Sequence, residues 1–285
     1  MIPYTKLNSH GNDFILVETK GHDALLSDEQ IKHYSRRDVI GCDQFFIVDT
    51  SDITNVICEV FNQDGSRACQ CGNGLRATML YLNKKYNIRQ TNLVVCGNNY
   101  PAEIERDTIS IVMGTPKYID RIKSYNDSKY SITNDGLVLT LIEINNSLKF
   151  SFIPLSIGNN HCVVLSKSSP DNMDSISHIL NDVFDGIMNI CFVNNANDFL
   201  DNCNTIVDVV VNERGAGYTD SCGSGATAAA ICLFKLYELS HESRVDESKI
   251  KVRQKGGVLD VVKSYNPDIF KLVGPSELNA EGVLE

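Results

Sequence analysis

The segment Cys71-Gly72-Asn73-Gly74 precedes residues 75–83, which are rich in Ala, Leu and Met and contain neither glycine nor proline. A similar segment, Cys222-Gly223-Ser224-Gly225, lies 151 residues later and precedes the apolar residues 226–239. Such compositions favour helices, and a helix that is apolar nearly all round is typically buried in the centre of its domain. Each cysteine is therefore predicted to lie at the N-terminus of a helix.

A second pair of motifs repeats at nearly the same distance. Gly11-Asn12-Asp13-Phe14 returns as Gly158-Asn159-Asn160-His161, 147 residues later. Residues 55–61 and 205–211 are β-branched and apolar, which predicts a strand before each cysteine, with a polar loop in between. Two motifs that share one long period indicate a duplicated domain. Pseudo-twofold packing of two such halves would bring the two cysteines face to face across a cleft.

The composition is that of a folded globular protein. The chain has 285 residues, of which 42% are hydrophobic and 22% are charged, and this length suits about two domains. The net charge of −10 disfavours nucleic acid as a partner, because phosphate backbones are also negative. No apolar run is long enough for a membrane helix, and residues 1–14 carry no signal-peptide pattern. We therefore expect a cytoplasmic protein with no membrane partner.

The ten cysteines raise the question of disulfides, a metal site or free thiols. The sequence contains no C-x-x-C and no histidine pair at zinc-finger spacing, so no metal site is predicted. Because cytoplasmic thiols stay reduced, about seven or eight of the cysteines are expected to be small buried hydrophobic residues. Cys69 is expected to be one of these. Cys71 and Cys222 have surroundings that suggest chemistry.

Both cysteine motifs also satisfy G-x-G-x-x-A, the fingerprint of dinucleotide binding. In that fold the glycine turn follows its strand directly, whereas residues 62–70 and 212–221 intervene here. No acidic residue lies convincingly about 20 positions downstream to bind a ribose. Nicotinamide and flavin cofactors are therefore not expected.

Two thiols at two helix N-termini suit proton transfer at the α-carbon of an amino acid. The N–H groups of a helix N-terminus bind a carboxylate and favour a thiolate. Removal of the α-proton places negative charge on the bound carboxylate, and each well-placed donor contributes about 2.7–4 kcal/mol to its stabilisation. One thiolate would remove the proton from one face, and the other residue, as a thiol, would return a proton to the opposite face. The two thiols would then titrate as a coupled pair.

Short polar and glycine-containing motifs occur along the whole chain. They are Gly11-Asn12-Asp13-Phe14, Asp43-Gln44, Phe61-Asn62-x-Asp64-Gly65, Gln70-Cys71-Gly72-Asn73-Gly74-x-Arg76, Gly158-Asn159-x-His161, Glu213-Arg214-Gly215-Ala216-Gly217, Cys222-Gly223-Ser224-Gly225 and Gly256-Gly257. With these motifs the sequence resembles the pyridoxal-independent diaminopimelate epimerases over its full length, because the motifs appear in the family's order and at matching spacing. Together they are specific.

The resemblance implies an α/β (α+β) fold of two homologous domains, each a mixed sheet wrapped around a central helix, with the active site in the cleft between them. The N-terminal domain would comprise residues 1–118 and about 265–285, and the C-terminal domain residues 119–264. The implied reaction converts LL-2,6-diaminopimelate into meso-diaminopimelate, for lysine and peptidoglycan biosynthesis, in a homodimer without a cofactor.

The resemblance also assigns residues. Cys71 and Cys222 match the acid/base pair, and His161 and Glu213 match residues beside the thiols that can bias which sulfur holds the proton. The positions that hold the reacting carboxylate are matched by Gly72, Asn73, Gly223 and Ser224. The positions that hold the far amino-carboxylate end are matched by Arg214, Asn12, Gln44, Asn62 and Asn189. Substrate-binding positions are further matched by Asn159 and Glu213. Without the resemblance, Asn159 and His161 suit an ordinary polar loop after a strand.

Some positions depart from the family pattern. Asn8-Ser9-His10 stands where the family usually has His-Gly-Leu, Asn160 where it usually has proline, and Tyr218 where it often has glutamate. All of these positions border the predicted site. They therefore bear on loop closure and on how strictly the substrate is selected.

Three other functions fit the same residues. One is a related racemase that acts on another amino acid, and a second is a non-catalytic amino-acid-binding protein. The third is a hydrolase that uses Cys71 as nucleophile with His161. The hydrolase leaves Cys222 and the duplication without a purpose.

Overall fold

The structure is a computed structural model that describes residues 1–21, 26–119, 130–135, 137–143, 148–165, 170–241, 249–264 and 269–285. Its elements in chain order are β1 (Ile2–Ser9), β2 (Asn12–Thr19), α1 (Asp28–Ser35), β3 (Gln44–Asp49), β4 (Asn55–Asn62), β5 (Arg67–Ala68), α2 (Gly72–Tyr86), β6 (Gln90–Val95), β7 (Asn98–Glu105), β8 (Thr108–Gly114), β9 (Lys117–Tyr118), β10 (Tyr130–Asp135), β11 (Val138–Glu143), β12 (Lys149–Ser156), β13 (Asn160–Val164), α3 (Pro170–Val183), β14 (Asn189–Val193), α4 (Ala196–Asp201), β15 (Val207–Glu213), β16 (Gly217–Thr219), α5 (Gly223–His241), β17 (Lys249–Gln254), β18 (Gly257–Lys263), β19 (Phe270–Gly274) and β20 (Glu277–Leu284).

The chain forms two compact units. The first comprises Met1–Met113 and Lys271–Glu285, and the second comprises Gly114–Phe270. The sequence predicted domain limits at residue 118 and at about residue 264. These limits lie partly beside residues outside the described ranges, and they stay predictions. In the part of the chain that the structure describes, no helix is long and apolar enough to cross a membrane.

The first unit is a mixed sheet around helix α2. Its strands follow the order β20, β1, β2, β3, β4, β6, β7, β8 and β19, with the short β5 beside β4. β2 and β3 are parallel, as are β4 and β6. Helix α2 packs against β1, β2, β6, β7 and β20, and residues 72–82 are all buried. The last strand, β20, pairs with β1, so the end of the chain returns to the first unit.

The second unit repeats this arrangement around helix α5. Its strands follow the order β10, β11, β12, β13, β14, β15, β17 and β18, with the short β16 beside β15 and β9 beside β12. β13 and β14 are parallel, as are β15 and β17. The strands from β12 to β18 therefore pair in the same order of antiparallel and parallel neighbours as the strands from β1 to β7. The predicted α/β fold with an internal duplication is confirmed, and the apolar helix α5 is buried over residues 223–234.

Each unit has a further helix that packs on its sheet. In the first unit α1 begins with a capping box, in which Ser27 and Gln30 bond each other's backbone N–H groups. Its residue Ile31 is buried among side chains of β2 and β3. In the second unit α3 buries Leu180 in a core that includes Phe152 and Phe192 of the sheet. Burial of one such Leu, Ile or Phe side chain stabilises the fold by roughly 1.5–3 kcal/mol.

The cysteines differ from the expectation in three places. Cys69 and Cys96 are exposed and form a disulfide, with their Cα atoms 5.3 Å apart. Cys203 is an exposed free thiol. The prediction that Cys69 is a buried thiol is wrong, because the tight turn between β6 and β7 at Cys96 and Gly97 lies beside the loop that precedes α2. The buried cysteines are Cys42, Cys58, Cys162, Cys191, Cys222 and Cys232.

Candidate active site

In the first unit, Cys71 caps the N-terminus of α2. Its backbone is extended, with φ −154° and ψ 93°, and its Sγ accepts a hydrogen bond from the Gly74 N–H at 3.2 Å. The side chain is half-buried. A Cβ atom on Gly74 would lie 2.2 Å from Cζ of Phe46, and one on Gly72 would lie 2.8 Å from Cδ2 of Leu272. Glycine at both positions therefore lets the start of the helix approach the surrounding side chains.

The start of α2 is hydrogen-bonded to the end of β1, next to the β1–β2 turn. Ser9 donates from Oγ to the carbonyl oxygen of Asn73 at 3.0 Å, and Asn73 is 2% exposed. His10 and Gly11 form the turn itself, with φ of 57° and 85°, as the two central residues of a type I′ hairpin require. The predicted site residue Asn73 is thus held by a position where this chain departs from the family pattern.

Three amide side chains lie at one end of strands β2, β3 and β4. Gln44 pairs with Asn62 across β3 and β4, and its Nε2 donates to Asn62 Oδ1 at 3.1 Å. Asn12 donates from Nδ2 to Oδ2 of Asp43 at 2.7 Å. Because β2 and β3 run parallel and begin together, the structure brings Asn12, Gln44 and Asn62 to the same edge of the sheet.

In the second unit, Cys222 immediately precedes α5. Its Sγ accepts from the Gly225 N–H at 3.4 Å and lies 3.6 Å from Oγ of Ser224. The residue is 5% exposed. Burial, assisted by the negative charge of Glu213, raises the pKa of the Cys222 thiol well above its usual value. At neutral pH Cys222 is therefore a protonated thiol.

A hydrogen-bonded series of side chains connects His161 with the start of α5. His161 Nε2 lies 2.8 Å from Oδ1 of Asn159, and Asn159 donates from Nδ2 to Oγ of Ser224 at 3.1 Å. On the other side of the ring, Sγ of Cys191 lies 3.4 Å from Nδ1. Burial lowers the pKa of His161 to about 3, so the ring is neutral. Since Asn159 offers an oxygen, Nε2 carries the proton and Nδ1 accepts from the Cys191 thiol.

The loop after β15 is fixed by Asn189. Its Oδ1 accepts from the Arg214 N–H at 2.9 Å, and its Nδ2 donates to the Asn160 carbonyl at 3.2 Å. Glu213 accepts a hydrogen bond from the Thr219 hydroxyl, while the Arg214 side chain is exposed. Parallel pairing of β13 and β14 sets Asn189 opposite His161. The structure therefore places these predicted residues along neighbouring strands of the second unit.

Sequence reasoning missed two side chains that contact these residues and the complete burial of a third. Gln254 bonds the backbone of Cys222, Cys191 bonds the ring of His161, and Arg76 is fully buried in α2. Arg76 stands within a motif that the sequence analysis used, but nothing in the sequence indicates its burial. Gln254 stands two residues before Gly256-Gly257, and its only signal was this proximity to a motif.

Comparison with known proteins places the chain among enzymes. The profile of the family described as Diaminopimelate epimerase matches residues 4–119. A diaminopimelate epimerase of Blochmanniella pennsylvanica (strain BPEN) is 31% identical over 235 residues, which cover 79% of this chain and 81% of that protein. A diaminopimelate epimerase of Legionella pneumophila (strain Corby) is 29% identical over 297 residues, which cover 99% of each.

Solved structures share the fold at low sequence identity. One described as a predicted epimerase of Pseudomonas aeruginosa has a TM-score of 0.66 and 11% identity, and the match covers 100% of this chain and 99% of that one. A hydroxyproline epimerase from Agrobacterium vitis has a TM-score of 0.65 and 10% identity, with coverage of 99% and 91%. At such identities the likeness concerns the fold alone. The curated relatives, one of them 31% identical over 79% of this chain, show that this chain is an isomerase that belongs to the diaminopimelate epimerase family.

Proposed function

We propose that the protein converts LL-2,6-diaminopimelate into meso-diaminopimelate by moving a proton at one α-carbon with Cys71 and Cys222. The observation that carries the proposal is the repeated cysteine at the start of a buried helix, in which Sγ accepts from the N–H three residues later. Family membership supports the substrate, since the relatives are named for diaminopimelate.

The helix starts supply the electrostatic part of the mechanism. Gly72 and Asn73 in α2, and Gly223 and Ser224 in α5, have N–H groups in the first turn, where a helix has no internal acceptors for them. We infer that these groups bind the α-carboxylate of the substrate. When the α-proton leaves, negative charge moves onto this carboxylate, and donors already in place stabilise it.

The two thiols begin the reaction in different protonation states. Cys222 is buried beside the charge of Glu213, and the resulting rise of its pKa keeps it protonated. Cys71 is half-buried and acts as the thiolate that takes the α-proton. The Cys222 thiol then delivers its own proton to the opposite face of the carbanion, so the configuration inverts and the thiolate charge has moved from Cys71 to Cys222. After the product leaves, Cys71 loses a proton to solvent and Cys222 takes one up from solvent, which restores the first state; the same steps in reverse order convert meso-diaminopimelate back into the LL isomer.

The neutral ring of His161 acts through geometry and not through charge. It holds Asn159, which in turn bonds Ser224 beside Cys222. For the far end of the substrate, we propose that Arg214 binds the second carboxylate. The amides of Asn12, Gln44, Asn62 and Asn189 order this end and its ammonium group, in keeping with the chemistry of amides and guanidinium. Glu213 accepts from the ammonium on the reacting carbon.

The test is proton NMR of the purified, reduced protein with LL-diaminopimelate in deuterium oxide. We expect deuterium at the α-position and the meso isomer with wild type. Neither should appear with Cys71→Ala or Cys222→Ala, whereas the exposed Cys203→Ala is the matched control and keeps full activity. A wild type that leaves the α-proton in place contradicts the proposed substrate. Exchange with another amino acid, unaffected by Arg214→Ala, favours the related racemase.

The proposal includes the setting expected from the resemblance, a homodimer in the cytoplasm. Light scattering coupled to size-exclusion chromatography measures the mass directly against 31.6 kDa for one chain. A monomeric protein with full α-proton exchange would contradict the proposed dimer but not the proposed reaction.

A further inference from the structure

Cys191 is a buried thiol that the proposed reaction does not use. It lies in β14 and is 0% exposed. Its Sγ lies 3.4 Å from Nδ1 of His161, and within the described ranges this ring nitrogen is the one hydrogen-bond partner of that sulfur. Burial raises the pKa of the Cys191 thiol well above its usual value, so the thiol carries its proton at neutral pH. Because a ring nitrogen of neutral imidazole can accept, the thiol is placed to donate this bond.

The sheet and α5 hold Cys191 next to Cys222. A Cβ atom on Gly225 would lie 3.3 Å from Sγ of Cys191, and it would lie at the same distance from Sγ of Cys222. It would also lie 2.8 Å from Cγ2 of Val211. Antiparallel pairing sets Cys191 opposite Val211, so both side chains leave the same face of the sheet and pack on the first turn of α5. The side chains of Val211 and Gly225 offer no acceptor that could compete with the His161 ring for the thiol proton.

The proton of Cys191 fixes the direction of every later hydrogen bond in the series. A neutral imidazole carries a single N–H, so with Nδ1 as acceptor the proton of His161 is on Nε2. Nε2 donates to Oδ1 of Asn159 at 2.8 Å, which turns Nδ2 of the same amide towards Oγ of Ser224, at 3.1 Å. Because Oγ of Ser224 accepts there, its own proton is left for Sγ of Cys222, at 3.6 Å.

The opposite tautomer of His161 would reverse the series. With the proton on Nδ1, Nε2 would accept from the amide of Asn159, and the amide oxygen would face Ser224. The hydroxyl of Ser224 would then donate to this oxygen and not to Cys222. A hydrogen bond donated to a sulfur favours its thiolate form. The direction of the series therefore decides whether Cys222 has this support when it gives up its proton.

The duplicated positions in the first unit are apolar. β13 pairs with β14 as β2 pairs with β3, which makes Phe14 the counterpart of His161 and Phe46 the counterpart of Cys191. The two phenylalanine rings contact edge to face, with their centroids 5.6 Å apart. Phe46 packs on the first turn of α2 as Cys191 packs on that of α5. A hydrogen-bonding pair thus takes the place of an aromatic pair beside Cys222.

We propose that Cys191 is a positioning residue, whose S–H donates to the His161 ring and so sets the direction of the hydrogen bonds that reach Cys222. This inference rests on the proposed function, because the direction affects the reaction only if Cys222 alternates between thiol and thiolate. Cys191 acts through His161 and not on the substrate, since a fully buried side chain is closed to a dissolved ligand.

The ¹⁵N NMR signals of the histidine rings test this relation without any substrate. The signals of His161 are identified by their loss in His161→Gln. In wild type we expect a protonated Nε2 and a bare Nδ1. Cys191→Ala removes the donor to Nδ1, so both tautomers become populated and the two nitrogen shifts move towards each other. Cys191→Ser keeps a donor and should retain the wild-type pattern. Cys232→Ala should also retain it, as the matched control at another fully buried thiol of the same unit.

The rate of meso-diaminopimelate formation measures the consequence for Cys222. In Cys191→Ala we expect kcat to fall about three- to tenfold with KM unchanged, because the lost hydrogen bond acts on the thiolate that forms as the proton moves. Cys191→Ser and Cys232→Ala should stay within about twofold of wild type. A Cys191→Ser variant as slow as Cys191→Ala would mean that packing and not the donor matters, and it overturns the inference. An equal loss in Cys232→Ala does the same.

The ring spectra also separate this inference from the proposed function. A protonated Nδ1 in wild type overturns the inference, as does an unchanged His161 pattern in folded Cys191→Ala. If Cys191→Ala does not fold, Cys191→Val removes the donor without leaving a cavity, and the same results are expected of it. Wild type that forms the meso isomer while Cys191→Ala keeps the wild-type pattern contradicts only the role of Cys191. Wild type that forms no meso isomer contradicts the proposed function, and the ring spectra still show whether Cys191 is the donor.

Discussion

Gln254 bonds both backbone groups of Cys222. Its Oε1 accepts from the Cys222 N–H at 3.0 Å, and its Nε2 donates to the Cys222 carbonyl at 3.2 Å. The same Oε1 accepts from the Ser221 hydroxyl at 3.3 Å. One side chain at the end of β17 therefore fixes the backbone immediately before α5, and with it the direction of the Cys222 thiol.

Replacement of Gln254 should affect both stability and catalysis. Gln254→Met keeps the approximate volume but removes the acceptor of the buried Cys222 N–H, while the Cys222 carbonyl keeps its bond from the Ala226 N–H at 2.9 Å. An unsatisfied buried group costs about 1–3 kcal/mol, so we expect a loss of this size in the free energy of unfolding, measured in urea. We also expect at least tenfold slower α-proton exchange. The exposed Gln90→Met is the control, and equal losses in both variants would argue against the role of Gln254.

Addition of one methyl group to Gly74 should disturb the start of α2. The new Cβ would lie 2.2 Å from Cζ of Phe46, which is 1% exposed. Overpacking of a core typically costs about 1–3 kcal/mol, so we expect Gly74→Ala to lower the melting temperature and the rate of α-proton exchange. The double variant Gly74→Ala/Phe46→Leu removes the clash. It should be more stable than the sum of the two single effects, and strict additivity would contradict the steric explanation.

Acid should destabilise the first unit through Glu18. Burial opposes the ionisation of this carboxyl, but hydrogen bonds outweigh burial and lower its pKa to about 2; the donors are Lys85, Thr50, Tyr86 and Tyr81. A carboxyl whose pKa is lower in the folded protein than in the unfolded chain stabilises the fold at pH values above its unfolded pKa, about 4.3. This stabilisation is lost as the pH falls towards 2. Its magnitude at pH 7 is on the order of 2–3 kcal/mol.

Unfolding in urea at several pH values measures this contribution. Glu18→Gln should be less stable than wild type at pH 7, with a difference that shrinks between pH 4.5 and 2. Glu105→Gln, at an exposed carboxyl of β7, is the control and should be close to wild type at every pH. A difference for Glu18→Gln that stays constant with pH would refute the electrostatic origin.

His161 should remain neutral throughout the active pH range. Burial lowers its pKa to about 3, compared with about 6.5 for a free imidazole. The ¹⁵N shifts of this ring should therefore be constant from pH 9 to 5 and show the Nε2–H tautomer. Because the unfolded ring takes up a proton below pH 6.5, His161 should also lower the stability of the fold as the pH falls from 6.5 to 3. Titration of His161 near pH 6.5 in the folded protein would contradict this assignment.

The Cys69–Cys96 disulfide can be counted directly. Ten cysteines with one disulfide leave eight free thiols, so denatured, unreduced protein should react with eight equivalents of a thiol reagent. In the Cys69→Ser/Cys96→Ser variant the count should again be eight. Each single variant frees the partner of the replaced cysteine, so its count should be one higher than that of the double variant. A count of ten in protein purified without reductant would contradict the disulfide.

The sequence by itself determined the architecture, while the thiol chemistry and the site residues that it indicated stay predictions. Repetition of the two cysteine motifs predicted the duplication, because each copy must form the same strand, loop and helix to bury its apolar residues. The segments after Cys71 and Cys222 predicted the two helices, since helix propensity is a local property of the residues. Pairing of Gln44 with Asn62 agrees with the family pattern that placed both residues in one set.

Only the tertiary structure decided the charge state and partners of individual groups. Cys69 pairs with Cys96 across 27 residues, Arg76 contacts His10 across 66, and Gln254 bonds Cys222 across 32. No local pattern records such contacts, because they depend on which side chains the sheets bring together. The low pKa of His161 likewise follows from complete burial. Desolvation and long-range contacts are properties of the packed chain, and they distinguish two cysteines that look equivalent in the sequence.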